Sequence, residues 1–213
     1  GQARLKADVM RLSTELTSGE RTTLNPKLGG DITPLSALER SRAAIVPWLG
    51  AASEAATSFD ATQEALGAFQ AMASSLALGT FDVTGLGNET DIQRFASEAR
   101  SDFGRLVSTL NTATSGRSLF AGTATDGPAL ASGDTILSEI AADVVTAAAA
   151  TTSDYIAVVD AYFGPGGGFE TSAYLGAAQA ASVRVSADDA VSPAPTAEAD
   201  ELRATLRAAA LAA

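Results

Sequence analysis

The sequence predicts a mainly α-helical protein whose first and last helices pair antiparallel, with a small β-containing region from the middle of the chain. Three observations predict it. Apolar residues recur three and four apart through most of the chain, as one face of a helix requires. The two ends share one 4-3-4 spacing, Leu5, Val9, Leu12 and Leu16 against Leu202, Leu206, Ala209 and Ala213. Strand-like patterns are confined to two short stretches.

Taken in order, the first stripe defines a helix from Gln2 to Thr17, stopped at Ser18-Gly19 because glycine accepts the left-handed C-terminal position. Residues 20–30, with Pro26, Gly29 and Gly30, read as a loop, and Asp31 or Thr33 as the cap of the next helix. That helix runs to Leu78 through Leu35, Leu38, Ile45, Leu49, Phe59, Leu66, Phe69, Met72 and Leu76. Pro47 should kink or divide it, since proline lacks the N–H and crowds the preceding turn. A loop is expected at 79–90, followed by a third helix carrying Ile92, Phe95, Ala99, Phe103 or Leu106, and Leu110, and ending near Ser115-Gly116.

From Arg117 to Leu130 the helical period is lost. Asp126-Gly127-Pro128 makes a turn there, and a short strand or hairpin is expected at Ser118–Ala121. A fourth helix, about Thr135 to Ala150, aligns Ile136, Ile140, Val144 and Ala148; a fifth follows at Ser153–Phe163 and ends at Gly164–Gly168. Ala180–Ser186 alternates like a strand, with Asp188-Asp189 turning it back toward Val191. Pro193 and Pro195 then insulate the last helix, which begins near Thr196. The domain organisation expected is a helical region over 1–116, a variable region over 117–195, and over 196–213 a helix that pairs with 2–17. An Ala-rich helix still running at Ala213 and a leading Gly1 point to a fragment trimmed at both ends.

Composition narrows the function classes. With 213 residues and neither cysteine nor histidine, the chain has no disulfide, thiolate nucleophile or imidazole base to offer. A cysteine-free chain suits both an intracellular protein and one exported unfolded. The net charge of -11 argues against nucleic acid, whose binding depends on Lys and Arg displacing counterions. The charge is uneven: residues 1–42 hold seven cations and five acids, residues 43–213 seven cations and twenty acids. No apolar run approaches the roughly 20 residues of a membrane helix, so no membrane insertion is expected.

The motifs that resemble chemistry are weak. Gly116-Arg117-Ser118-Leu119-Phe120 misses a nucleophile elbow, which needs glycine where Phe120 stands. Gly164–Gly168 lacks the lysine of a phosphate loop, because the chain's lysines are Lys6 and Lys27. Asp188-Asp189 with Asp200 and Glu201 fits no twelve-residue calcium loop; turn formation and helix N-terminal charge explain these acids better. Trp48 reads as a core anchor. Neither catalytic activity, cofactor nor metal is expected.

Three stretches together resemble the flagellin family, in the family's order: RLSTELTSGER at Arg11–Arg21, GRSLFAGTATDGPA at Gly116–Ala129, and the ending Val183–Arg207. They are similar to the close of the amino-terminal helix, to the glycine-aromatic turn after the second stretch of helix, and to the strand-then-helix entry to the carboxy-terminal rod. Leu28–Arg40 and Leu119–Thr123 look most like the hook-filament junction type. The resemblance implies a flagellin-like core, an elongated antiparallel helical rod built from both chain ends plus an outer region from the middle. It also implies a structural subunit that polymerises outside the cell after export by the flagellar type III apparatus. Its partners would be a neighbouring hook-associated protein, flagellin, copies of itself through the full-length termini, and an export chaperone. Without those termini this fragment is expected to be monomeric in solution.

On this reading Leu5, Val9, Leu12, Leu16, Leu202 and Leu206 pack the rod helices against one another, and Arg4, Lys6, Arg11 and Glu15 are candidate subunit contacts or a solvated face. Flagellin itself is the alternative within the family. A non-flagellar helical interaction or sensory module is the alternative outside it.

Overall fold

The structure is a computed structural model; it describes residues 2–18, 33–83 and 89–213, with the side chains of Ala3, Glu15, Ser18, Thr33, Pro34 and residues 80–83 outside that description. The expected loop at 20–30, the Asp31 cap, and Gly85 and Gly87 all lie outside the described residues. What is described is mainly helical. It comprises α1 (Gln2–Ser18), α2 (Thr33–Val83), α3 (Glu89–Leu110), α4 (Gly133–Thr146), α5 (Thr152–Phe163) and α6 (Asp200–Ala212), with a π-helical turn at Phe169–Ala173. The strands β1 (Ala113–Thr114), β2 (Arg117–Ser118), β3 (Val183–Arg184) and β4 (Ala190–Val191) form two separate antiparallel hairpins.

The chain divides into two compact units, Gly1–Pro47 and Trp48–Ala213. The division falls at the proline where the sequence expects a kink or break. Helical structure nevertheless continues past Pro47, whose missing N–H leaves only the Ala43 carbonyl without its usual donor. α2 runs through Gly79 to Val83 and α3 starts at Glu89, so the part of the expected 79–90 loop that is described is helical, and residues 84–88 lie outside the described residues. Glu89 and Asp91 favour that start by placing negative charge on the exposed N–H groups of the first turn.

In the first unit the described side chains of α1 and of residues 37–47 are exposed, while Leu35 and Ser36 are half-buried. In the second, one hydrophobic core draws on every helix present. Phe103, Leu106 and Leu110 of α3, Ile136 of α4, Phe163 of α5 and Leu206 of α6 meet there with Phe120, Leu130 and Phe169. Phe69 and Leu76 add the later part of α2. α3 packs on α4 and α6, and α5 packs on the same two helices. Several residues between 117 and 195, Phe120, Leu130 and Phe169 among them, contribute to the core of the second unit.

The middle of the chain is shaped by turns. α3 ends at Leu110, five residues before the expected stop. Ser115-Gly116 is instead the two-residue turn of the β1–β2 hairpin, with φ of 53° and 77°. Positive φ at both positions matches the twist of the flanking strands. The hairpin thus lies at 113–118, slightly ahead of the expected Ser118–Ala121. Asn111 locks the end of α3 in place, its side chain exchanging hydrogen bonds of 2.8 and 2.9 Å with the backbone of Leu130. Beyond β2, Ala177 N–H donates to Ala121, Thr123 N–H to Gln179 and Ala197 N–H to Phe120, each at 2.9 Å. Gly122 sits within this stitching at φ 61°, where any Cβ would collide with the Ala177 and Gln179 carbonyls.

The remaining elements follow their local chemistry. Ser132 caps α4 by accepting from Thr135 N–H, and Thr151 and Asp154 form a reciprocal capping box at α5. The strand turns back at Asp188-Asp189, and Val183 pairs with Val191.

Candidate functional site

The residues singled out on α1 lie on an open surface. Leu5, Val9, Leu12 and Leu16 are 56–88% exposed, and Met10, on another face of the helix, is 62% exposed. Arg4, Lys6 and Arg11 are exposed too, Arg11 meeting Asp8 one turn away at 3.3 Å. The side chain of Glu15 is outside the described residues. Thr14 and Thr17 return their hydroxyls to carbonyls four residues back, so they occupy themselves locally. In the same unit Leu38, Ile45 and Val46 of α2 are also exposed.

Leu202 and Leu206 are buried, with relative exposures of 8% and 0%. They are covered within the second unit, where α6 lies on α3 and α5. Within that unit the stripe of α6 packs on α3 and α5. Phe103, Leu106 and Leu110 of α3 offer a longer and bulkier apolar face than the alanine-rich terminal helix could find elsewhere in its own unit.

The near-catalytic motifs resolve into structural roles. Ser118 sits in β2 with its Oγ buried and unpartnered, and its N–H donates to Thr125 at 2.8 Å. Gly164 caps α5, and the glycines after it lead into the five-residue π-helical turn. Ser186 Oγ accepts from the N–H groups of Asp188 and Asp189 and donates to the Asp189 carboxylate at 3.0 Å, which makes a turn. Asp200 and Glu201 occupy the first turn of α6. Trp48 is half-buried, not a core anchor.

Sequence reasoning missed the polar seam that ties α6 to the middle of the chain. Arg203 donates to Glu170 and Asp200, both at 2.7 Å, and Arg207 pairs with Asp160 of α5. Glu170 also accepts the Gly166 N–H at 2.7 Å. Glu139 of α4 accepts from the Tyr162 hydroxyl at 2.5 Å and the Ser172 hydroxyl at 2.7 Å. Burial, followed by the carboxylate of Glu139, raises the Tyr162 phenol well above its ordinary range. Burial and the charge of Glu198 push Tyr174 up to about 12. Burial, then Glu170, raises the Glu198 carboxyl, while Arg203 opposes the shift. These groups hold helices together, and the shifts follow from burial and neighbouring acids.

Two hollows in the second unit are large enough to take side chains of another molecule. A polar cleft of about 370 Å³ lies between α2 and the two hairpins, with Arg117 and Glu54 3.7 Å apart at its side. An apolar groove lies between α2 and α6, lined by Leu66, Phe69, Leu76 and Leu202 with alanines between them. Among the described residues no cluster of acids is arranged to hold a metal ion, and no helix is long and apolar enough to cross a membrane. No protein-family model matches the chain, and neither a curated protein nor a solved structure matches it.

Proposed function

We propose that this chain is a structural subunit that works by associating with copies of itself and with kindred proteins, not by catalysis. Within that class, its particular role is a hook-associated subunit joining hook to filament in a bacterial flagellum, outside the cell. One observation carries the association reading: the apolar stripe of α1 is presented to solvent. Helices at the surface of a folded unit normally turn such a stripe inward, and contiguous exposed apolar residues mark interaction surfaces. Leu5, Val9, Leu12 and Leu16 form such a surface. The flagellar assignment rests on the three family-like stretches of sequence and their order.

The reading separates two kinds of helix. The second unit, with its shared core, supplies a rigid body. α1 supplies a face that becomes buried on assembly. The charges Arg4, Lys6, Arg11 and Glu15 bordering that face would set register and partner choice through complementary charge more than through affinity. Partners in this reading are a neighbouring hook-associated protein, flagellin, and an export chaperone that covers the apolar stripe before assembly.

The test is location. Gold-labelled antibody raised against this chain, applied to cells of the source bacterium, should label a short zone where hook meets filament. Label along the whole filament would make the chain a flagellin. Label confined to the cell membrane or the cytoplasm would overturn the flagellar role altogether.

A further inference from the structure

The polar cleft of the second unit has the size and the chemistry of a ligand site. Its volume, about 370 Å³, falls within the roughly 300–1,000 Å³ of small-molecule sites, and it lies between residues 50–58 of α2 and the two hairpins. Half of the residues around it are serines and threonines. Among the described residues one cation, Arg117, and one acid, Glu54, border it, and no aromatic ring does.

These polar groups are poorly matched to one another. Arg117 and Glu54 stand 3.7 Å apart, beyond hydrogen-bond reach, with side chains 59% and 61% exposed. Such a pair stabilises little, so a ligand displaces it easily. Arg117 Nε donates to the Thr125 hydroxyl at 3.4 Å, a long bond that leaves the terminal nitrogens of the guanidinium for another acceptor. Ser118, next along β2, lines the same cleft and is 6% exposed, and its Oγ, closed off from solvent, has no hydrogen-bond partner. A buried hydroxyl left unpaired is unfavourable, and a ligand that pairs with it relieves that. The serine side chain has a single χ angle with three staggered positions, so the hydroxyl can turn to a group seated in the cleft.

The two charges define the ligand. A guanidinium with free donors, flanked by hydroxyls, takes a carboxylate. Glu54 beside it repels a doubly charged phosphate and attracts an ammonium. The chain's net charge of -11 disfavours any anion, whereas a zwitterion enters as a neutral molecule. An α-amino acid carries ammonium and carboxylate on one carbon, so both reach neighbouring counter-charges at once. Without an aromatic ring the cleft has no surface on which a nucleobase would stack. We infer that this cleft binds a free α-amino acid with a short polar side chain. Arg117 and Ser118 donate to its carboxylate, and Glu54 accepts from its ammonium. Binding there is independent of association through α1, and either can hold without the other.

L-serine is the probe. Titrated into the isotope-labelled full chain and followed through backbone amide resonances, it should give saturable shifts at residues 114–118 and 181–183. The affinity should fall in the millimolar range expected of so small a ligand. L-lactate lacks the ammonium and ethanolamine lacks the carboxylate; each should bind at least about tenfold more weakly, equivalent to about 1.4 kcal/mol. Arg117→Gln should weaken L-serine binding by at least about tenfold. Glu54→Gln should narrow the preference for L-serine over L-lactate, a change that a role in folding alone does not produce. Ser118→Ala should weaken L-serine binding about tenfold while the chain melts no earlier than wild type, because the unpaired hydroxyl is gone. Absence of saturable shifts with L-serine on the wild-type chain would overturn the inference, and so would L-lactate binding as tightly as L-serine. Unchanged L-serine binding in Arg117→Gln or in Ser118→Ala would overturn it as well.

Discussion

α1 and α6 carry the same 4-3-4 spacing of apolar residues and meet opposite fates. Leu202 and Leu206 of α6 are buried against α3 and α5, while Leu5, Val9, Leu12 and Leu16 of α1 are exposed. Spacing specifies that a helix has an apolar face; it does not specify what covers that face. α6 has a bulky neighbour in its own unit, with Phe103, Leu106 and Leu110 of α3 facing the same core. α1 belongs to a unit whose described residues are mostly exposed.

The contrast is sharpest in stability. Leu206→Ala should destabilise the second unit by about 2–5 kcal/mol, because it leaves a cavity in a closed core. Urea denaturation followed by circular dichroism would measure it. Next, Arg203→Ala removes two contacts at 2.7 Å and leaves Glu170 with its backbone partner alone. The arginine side chain is 20% exposed, so solvent screening limits the expected loss to about 1–2 kcal/mol in the same assay.

A smaller loss, about 1 kcal/mol, is expected from Thr151→Ala, which removes half of the capping box on α5. Asp154 is the other half. Hydrogen bonds from the backbone and side chain of Thr151 and from Ala150 N–H hold its carboxyl below its ordinary value near 3.8. A depressed acid binds its proton less readily folded than unfolded. Its contribution is therefore present above the ordinary value and lost as pH falls through the lowered one. Asp154→Asn should flatten that part of the acid melting curve. The smallest effect belongs to Leu12→Ala, expected within about 0.5 kcal/mol of wild type because its side chain is exposed. A loss there matching that of Leu206→Ala would break the comparison.

Much of the local architecture was legible because local chemistry decides it. The Val183–Val191 hairpin follows from alternation around Asp188-Asp189, and α5 from its capping residues and the Gly164 stop. Ser115-Gly116 was legible as a break but not as its type: the same two residues suit a helix end and a hairpin turn, and the pairing of Ala113 with Ser118 decides. The seam at Arg203 and Glu170 joins residues far apart in sequence, with no spacing to betray it. The groove between α2 and α6 was illegible for a related reason: alanines at helical spacing read as core whether or not a neighbour reaches them. The stripe of α1 was visible from the start, and its exposure was not, because exposure belongs to the assembled partners as much as to the residues.

We propose that α1 serves association while the second unit serves folding. Deletion of the gene in its source bacterium, with return of a variant carrying Val9→Asp, Leu12→Asp and Leu16→Asp, tests it most directly, with filament-bearing cells counted by electron microscopy. The account predicts that the wild-type gene restores attached filaments, while the triple variant is made and exported but leaves cells bare. Attached filaments at wild-type frequency with the triple variant would contradict it.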